Sequence, residues 1–143
     1  MRDIQDADAS AASQLSAQFG YPVDAVVMQR RIQELDRNLR AVLVACSDGG
    51  VIGWIDVCEM HHLQSGAYAE IGGLVVSEIC RSKGVGAQLV AAAEGWARDR
   101  GLHRIVVRSQ IAREAAHRFY IREGYRLTKR SAVFTKESKN PAS

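Results

Sequence analysis

Cysteine is scarce in this chain, and the three present, Cys46, Cys58 and Cys80, form no CxxC pair. An odd count without that spacing argues against a disulfide framework and against a thiolate metal site. Two of the three sit inside apolar, strand-like runs, where a thiol serves as a small core residue. The adjacent histidines His61 and His62 have no Cys, Asp or Glu ligand at the usual spacing, so no metal is expected there either. No apolar run approaches the ~20 residues that cross a bilayer. The start, Met1-Arg2-Asp3-Ile4-Gln5-Asp6, carries acidic residues and no apolar stretch, unlike a secretory signal. Blocks of five or six like charges are missing, and 19 basic against 16 acidic residues leave only +3. Neither nucleic acid nor membrane is therefore expected as a partner. The expectation is a reduced, cytoplasmic protein, one domain over 1–136 with a flexible polar tail over 137–143.

Periodicity supplies the elements. Ala12, Leu15 and Phe19 recur at helical spacing over 6–19, with Asp6 or Asp8 to cap the start and Gly20 and Pro22 to stop it. Asp24 caps a second helix whose apolar stripe is Met28, Ile32, Leu35 and Leu39. Two strand runs, 41–46 and 51–59, flank the turn Ser47-Asp48-Gly49-Gly50 and read as an antiparallel hairpin. A polar connection over 61–67 leads to a strand over 68–76. A helix over 84–100 buries Val85, Leu89, Val90, Ala93, Trp96 and Ala97, and Gly101 suits its C′ position. A strand over 104–110, a helix over 112–123 and a strand pair, 125–129 and 132–136, complete the order. The pattern predicts a mixed α/β sheet flanked by helices, with a parallel crossover around the helix 84–100.

Between the strand 68–76 and that helix lies Arg81-Ser82-Lys83-Gly84-Val85-Gly86. A strand that delivers glycines to a helix N-terminus presents free N–H groups, a favourable dipole and unobstructed backbone to an anion. Arg81 and Lys83 add fixed positive charge. The turn follows an antiparallel hairpin at mid-chain and lacks GK[ST], so neither a dinucleotide-binding fold nor a nucleotide-hydrolase loop fits.

The turn satisfies [RQ]-x-x-G-x-[GA], the cofactor signature of the GCN5-related N-acetyltransferase (GNAT) superfamily. Leu74-Val75-Val76 before it, and Ala116-His117-Arg118-Phe119-Tyr120 with Gly124-Tyr125 after the next strand, complete the resemblance, which is dense from Tyr68 to Tyr125. The resemblance implies a GNAT-like acyl-CoA N-acyltransferase fold, with a central mixed antiparallel and parallel sheet. It implies acetyl-CoA as cofactor, with its pyrophosphate on the main chain of Ser82, Lys83, Gly84, Val85 and Gly86 beside Arg81. The pantetheine arm would lie between parting strands along Leu74, Val75 and Val76, where one N–H would serve as oxyanion hole. Ser109 would stand where many relatives bond the pantetheine through asparagine. His117 and Tyr120 would lie near the cofactor, His117 being equally explicable as an exposed helix residue. Relatives that dimerise add the option of a homodimer.

Direct acyl transfer needs a neutral amine, a stabilised oxyanion and a proton for the departing thiolate. By the resemblance Tyr120 is the general acid, and the alternative for it is a core aromatic. Glu70 is the candidate base on the strand before the turn; the alternative is a solvated carboxylate that attracts a cationic acceptor. Phe19 and Tyr21, at the first helix break, are weaker candidates for contact with the acceptor. The expected acceptor is the primary amine of a small molecule, with a protein or peptide amine, or a non-catalytic acyl-CoA-binding module, as alternatives.

Overall fold

The computed structural model describes residues 1–80, 83–108 and 114–138. Two compact units divide the chain, Met1–Arg108 and the residues that follow. The first contains β1 (Arg2–Asp3), a 3₁₀ turn (Asp6–Asp8), α1 (Ala9–Gln18), α2 (Ala25–Gln33), β2 (Arg40–Ser47), β3 (Gly50–His62), β4 (Gly66–Val76), a second 3₁₀ turn (Glu78–Cys80), α3 (Val85–Asp99) and β5 (Ile105–Val107). The strands form one sheet in the order β1-β2-β3-β4-β5, antiparallel except for the parallel pair β4–β5. This is the expected mixed sheet with its crossover through α3. The second unit contains α4 (Glu114–Arg122). No described helix is long and apolar enough to cross a membrane.

Helices cover both faces of the sheet. On one face α1 and α2 bury Ala12 and Ile32 against Val42 and Val44, with Met28, Leu35 and Trp54 packed around them. On the other, α3 buries Val85, Leu89, Val90, Ala93 and Ala97 at the predicted spacing, and Ile55, Val57 and Ile71 are at most 1% exposed. Gly53 is what lets α3 approach. A Cβ there would stand 3.0 Å from the Val75 carbonyl oxygen and 3.1 Å from Leu89 Cδ1. The β2–β3 turn is the expected one, with Asp48 and Gly49 at positive φ as a type I′ hairpin requires.

Local chemistry explains where elements start. Asp24 accepts the Val26 N–H at 2.8 Å and opens α2. Asp8 accepts the Gln5 N–H at 2.8 Å and takes the Arg2 guanidinium on both oxygens, at 2.7 and 2.8 Å. That ion pair ties β1 to the start of α1, and Arg2 holds the largely buried Asp8 carboxyl below the usual carboxylate range. A carboxyl lowered in the folded state stabilises at pH above its unfolded value, and the contribution is lost as pH falls through the folded value. Arg2→Met is therefore expected to lower Tm by a few degrees at pH 7. The difference should shrink as pH falls through the folded value of Asp8 and the ion pair is lost; melting curves taken from pH 7 into the acid range check it.

Several expectations are corrected. The α2 helix ends at Gln33, and Leu39 is exposed, because the Asp36 side chain accepts the Asn38 N–H at 3.1 Å and turns the chain. His61 and His62 are not in a loop: β3 continues through them, paired with Ala67 and Gly66, and His62 meets the Tyr68 ring edge-on. Cys46 is exposed rather than core, at the bulged end of β2 beside the hairpin turn. Trp96 is half-buried beneath the Arg100 guanidinium. Within the second unit, residues 125–138 contain no strand among those described. Arg130-Ser131 supplies no residue suited to a primed turn, and Leu127, Val133 and Phe134 stay exposed without a ladder partner.

Candidate acyl-transfer site

The site begins with a bulge. In the β3–β4 ladder Asp56 pairs with Gly73 but Val57 pairs with Ile71, so Gly72 is the extra residue on β4. Before the bulge the Ala69 N–H donates to the Arg104 carbonyl, toward β5, at 3.0 Å. After it the Ser77 N–H donates to the Ile52 carbonyl, toward β3, at 2.8 Å. Alternation then turns the Leu74 and Val76 N–H groups to the edge away from β3. Pairing with β5 covers only Ala69, Glu70 and Ile71. Among the described residues, β4 therefore runs on to Val76 with that edge open. An extended chain bearing amides, such as pantetheine, can add there as a strand adds to an edge.

Beyond β4 the chain turns through Lys83 and Gly84 into α3. Gly84 is the N-cap, with φ +82° and no side-chain cap, so the first N–H groups of a 15-residue helix have no side-chain acceptor at the cap position. Lys83 and Gly84 are exposed and a Cβ on Gly84 would meet no atom within 4 Å. Val85 is buried and Gly86 half-buried on the first turn. The residues present thus suit a pyrophosphate: free amides, dipole and one described lysine. Arg81, Ser82 and Ser109 lie outside the described residues.

Cross-strand partners share a face, and this orders the side chains. Trp54, Asp56 and Cys58 of β3 line a cleft of about 640 Å³ under α1 and α2, together with Tyr21, Met28, Arg31, Glu34, Asp36 and Arg40. Glu70 is the partner of Cys58, which places it on the cleft's face where β4 and β5 part. Its carboxylate Oε1 accepts from Arg108 Nε at 2.8 Å. Burial, then the Glu70 and Asp56 charges, push the Cys58 thiol up, keeping it neutral and unsuited to nucleophilic attack. Gly73 stands beneath the indole, where a Cβ would come within 3.3 Å of Trp54 Cζ3.

Carboxylates that lie apart in sequence thus meet at one cleft, a grouping no linear cluster announces. Asp56 is held by the Arg40 guanidinium, and Glu59 is held by Arg100 and His61. Both signs of charge remain on the wall through Arg31, Glu34 and Asp36. Phe19 and Tyr21 stack, with ring centroids 6.2 Å apart, and Tyr21 reaches the cleft. In the second unit Tyr120 lies one turn after His117 on α4. Its ring meets Phe119 and Tyr125 edge-on at 5.1 and 5.8 Å, and burial pushes its phenol up. Sequence reasoning missed Arg108, the bulge at Gly72 and the Arg40–Asp56 pair.

Comparison with known proteins agrees with this architecture. Residues 9–125 match the model of the Acetyltransferase (GNAT) family. An aminoalkylphosphonate N-acetyltransferase of Salmonella typhimurium is 40% identical over 93 residues, a match covering 64% of this chain and 60% of that protein. An aminoglycoside N(6′)-acetyltransferase of Stenotrophomonas maltophilia is 29% identical over 94% of this chain and 90% of its own length. Among solved structures, an aminoglycoside N-acetyltransferase in complex with CoA superposes with a TM-score of 0.85 at 20% identity, over 96% of this chain and 93% of its own. A protein described as a transcriptional regulator from Bacillus halodurans superposes at 0.81, with 24% identity over 94% and 97%, so the fold alone does not decide the chemistry. The family match over most of the length, on a sheet with a bulged, open fourth strand and a glycine-opened helix, is decisive for kinship: the chain belongs to the acetyltransferase (GNAT) family, whose cofactor is acetyl-CoA.

Proposed function

We propose that the chain is a cytoplasmic N-acetyltransferase that moves an acetyl group directly to the primary amine of a small molecule within a ternary complex. The observation that carries the reading is the junction at Glu70. There Glu70 is the cross-strand neighbour of Cys58 in the wall of the 640 Å³ cleft, which suits an acceptor of drug or sugar size, and β4 runs on from it into an edge suited to a thioester arm. The family match over 9–125 supports reading 1–136 as one catalytic domain.

Acetyl-CoA supplies the activated acyl group. Lys83 and the amides from Gly84 to Gly86 would hold its pyrophosphate, and the Leu74 and Val76 N–H groups would hold the arm and donate to the acyl carbonyl oxygen. Glu70 receives the acceptor's ammonium and, directly or through water, its proton. Tyr120, held protonated by burial, would be the general acid for the leaving thiolate. The free cysteines take no covalent part. The mixed charge of the cleft wall suits an acceptor with an ammonium at one end and a second polar group at the other. Amino-alkylphosphonates and aminoglycosides, on which the relatives' names centre, both have that form.

Calorimetric titration with acetyl-CoA, followed by thiol release with an aminoalkylphosphonate, an aminoglycoside and a peptide with a free N-terminus, tests the reading. Micromolar binding with release for a small amine is expected. Release only with the peptide would make the acceptor a protein, and binding without any release would leave a sensor.

A further inference from the structure

Arg108 directly follows β5. Among the described residues the last cross-strand pair of β4 and β5 is Ile71–Val107, and the Arg108 side chain reaches back diagonally to Glu70 across that pair. Its Nε–H donates to Oε1 at 2.8 Å, while no hydrogen bond reaches Oε2 from another described residue. The Glu70 hydrogen bond is the largest influence raising Arg108, with the Tyr68 side chain the next. Tyr68 is itself fixed, 3% exposed, under the Arg104 guanidinium and against the His62 ring. The remaining polar groups facing Glu70 are Cys58 and Asp56 from β3, with Arg40 held on Asp56. The α1 helix, which also packs on this face, carries no charged residue between Ala9 and Gln18.

An ion pair whose arginine side chain is 60% exposed adds little to stability. Its effect is on geometry. A glutamate has three rotatable bonds, and an unheld carboxylate must be ordered each time it receives an acceptor. A single-donor contact removes that freedom and still leaves one oxygen open. Resting on the reading of Glu70 given above, we propose that Arg108 is a positioning residue. Through Nε it fixes the Glu70 carboxylate beside the Ile71–Val107 pair, with the second oxygen directed to the acceptor's ammonium.

The test compares E70Q, R108M, R108K and E70Q/R108M. The side-chain Nε–H resonance of Arg108, followed by NMR without any acceptor, should move on E70Q; if it stays where it is, the pair does not form and the proposal falls. With 2-aminoethylphosphonate, neamine or a peptide amine as acceptor, R108M should raise KM by about three- to tenfold, the cost of ordering one freed side chain on binding, with kcat changed less than twofold. R108K should recover most of that loss, and R108M should add nothing in the E70Q background. Equal losses with and without Glu70, or a fall in Tm and in acetyl-CoA affinity that accounts for the change, would overturn the positioning role. If the wild-type protein turns over none of the three amines while the resonance still answers to E70Q, the pair stands and the acetyltransferase reading falls.

Discussion

Tyr120→Phe is expected to lower kcat by about a hundredfold while the dissociation constant for acetyl-CoA changes less than twofold. The estimate is the low end of what one positioned proton donor contributes. Phenylalanine preserves the edge-on contacts with Phe119 and Tyr125, so only the hydroxyl is lost and Tm should hold. Burial favours the neutral phenol and pushes Tyr120 up from its ordinary value. The sign follows: the proton stays on Tyr120 to more alkaline pH than on a solvent-exposed tyrosine. The alkaline limb of the kcat profile should therefore lie above the ordinary phenol range, and Tyr120→Phe should remove that limb without moving the acid one. A variant that keeps its kcat would take Tyr120 out of the chemistry. One that unfolds would make it a core aromatic, the other reading its sequence allows.

Most of the element order was legible because it depends on local periodicity and caps. Asp24, the Asp48-Gly49 turn and the Val85–Ala97 stripe each act within a few residues, and each appears as expected. What was not legible depends on register. Nothing near Gly72-Gly73 says which glycine is the extra residue; the answer lies in the pairing with Asp56 and Val57. The Glu70–Arg108 contact joins residues 38 apart through a parallel pair, and a one-residue slip would point Glu70 at the other face. His61 and His62 were misplaced because polar residues can extend a strand once its neighbour supplies the ladder. The opposite error occurs at 125–136, where strand-forming side chains lie in no strand and no ladder is found among the described residues. The glycine turn at the start of α3 was legible because a left-handed N-cap such as Gly84 is a local requirement.

That turn carries the second large prediction. Gly84→Val is expected to weaken acetyl-CoA at least tenfold and to destabilise the fold as well, since a left-handed residue other than glycine costs about 1–2 kcal/mol and β-branching makes φ +82° harder still. The two effects separate at Gly84→Asn. Asparagine tolerates the left-handed region, and a Cβ at this position meets no protein atom within 4 Å, so α3 should keep its start and Tm should fall only slightly. Any loss of affinity in Gly84→Asn then comes from a side chain standing where the ligand must approach the amides of the first turn. One charge-assisted hydrogen bond lost there is again worth about tenfold, and calorimetry on the folded variant reads it directly. Unchanged affinity in a folded Gly84→Asn protein would move the pyrophosphate away from this helix end. The motif would then be a structural turn, and the positive charge of Lys83 would need another partner.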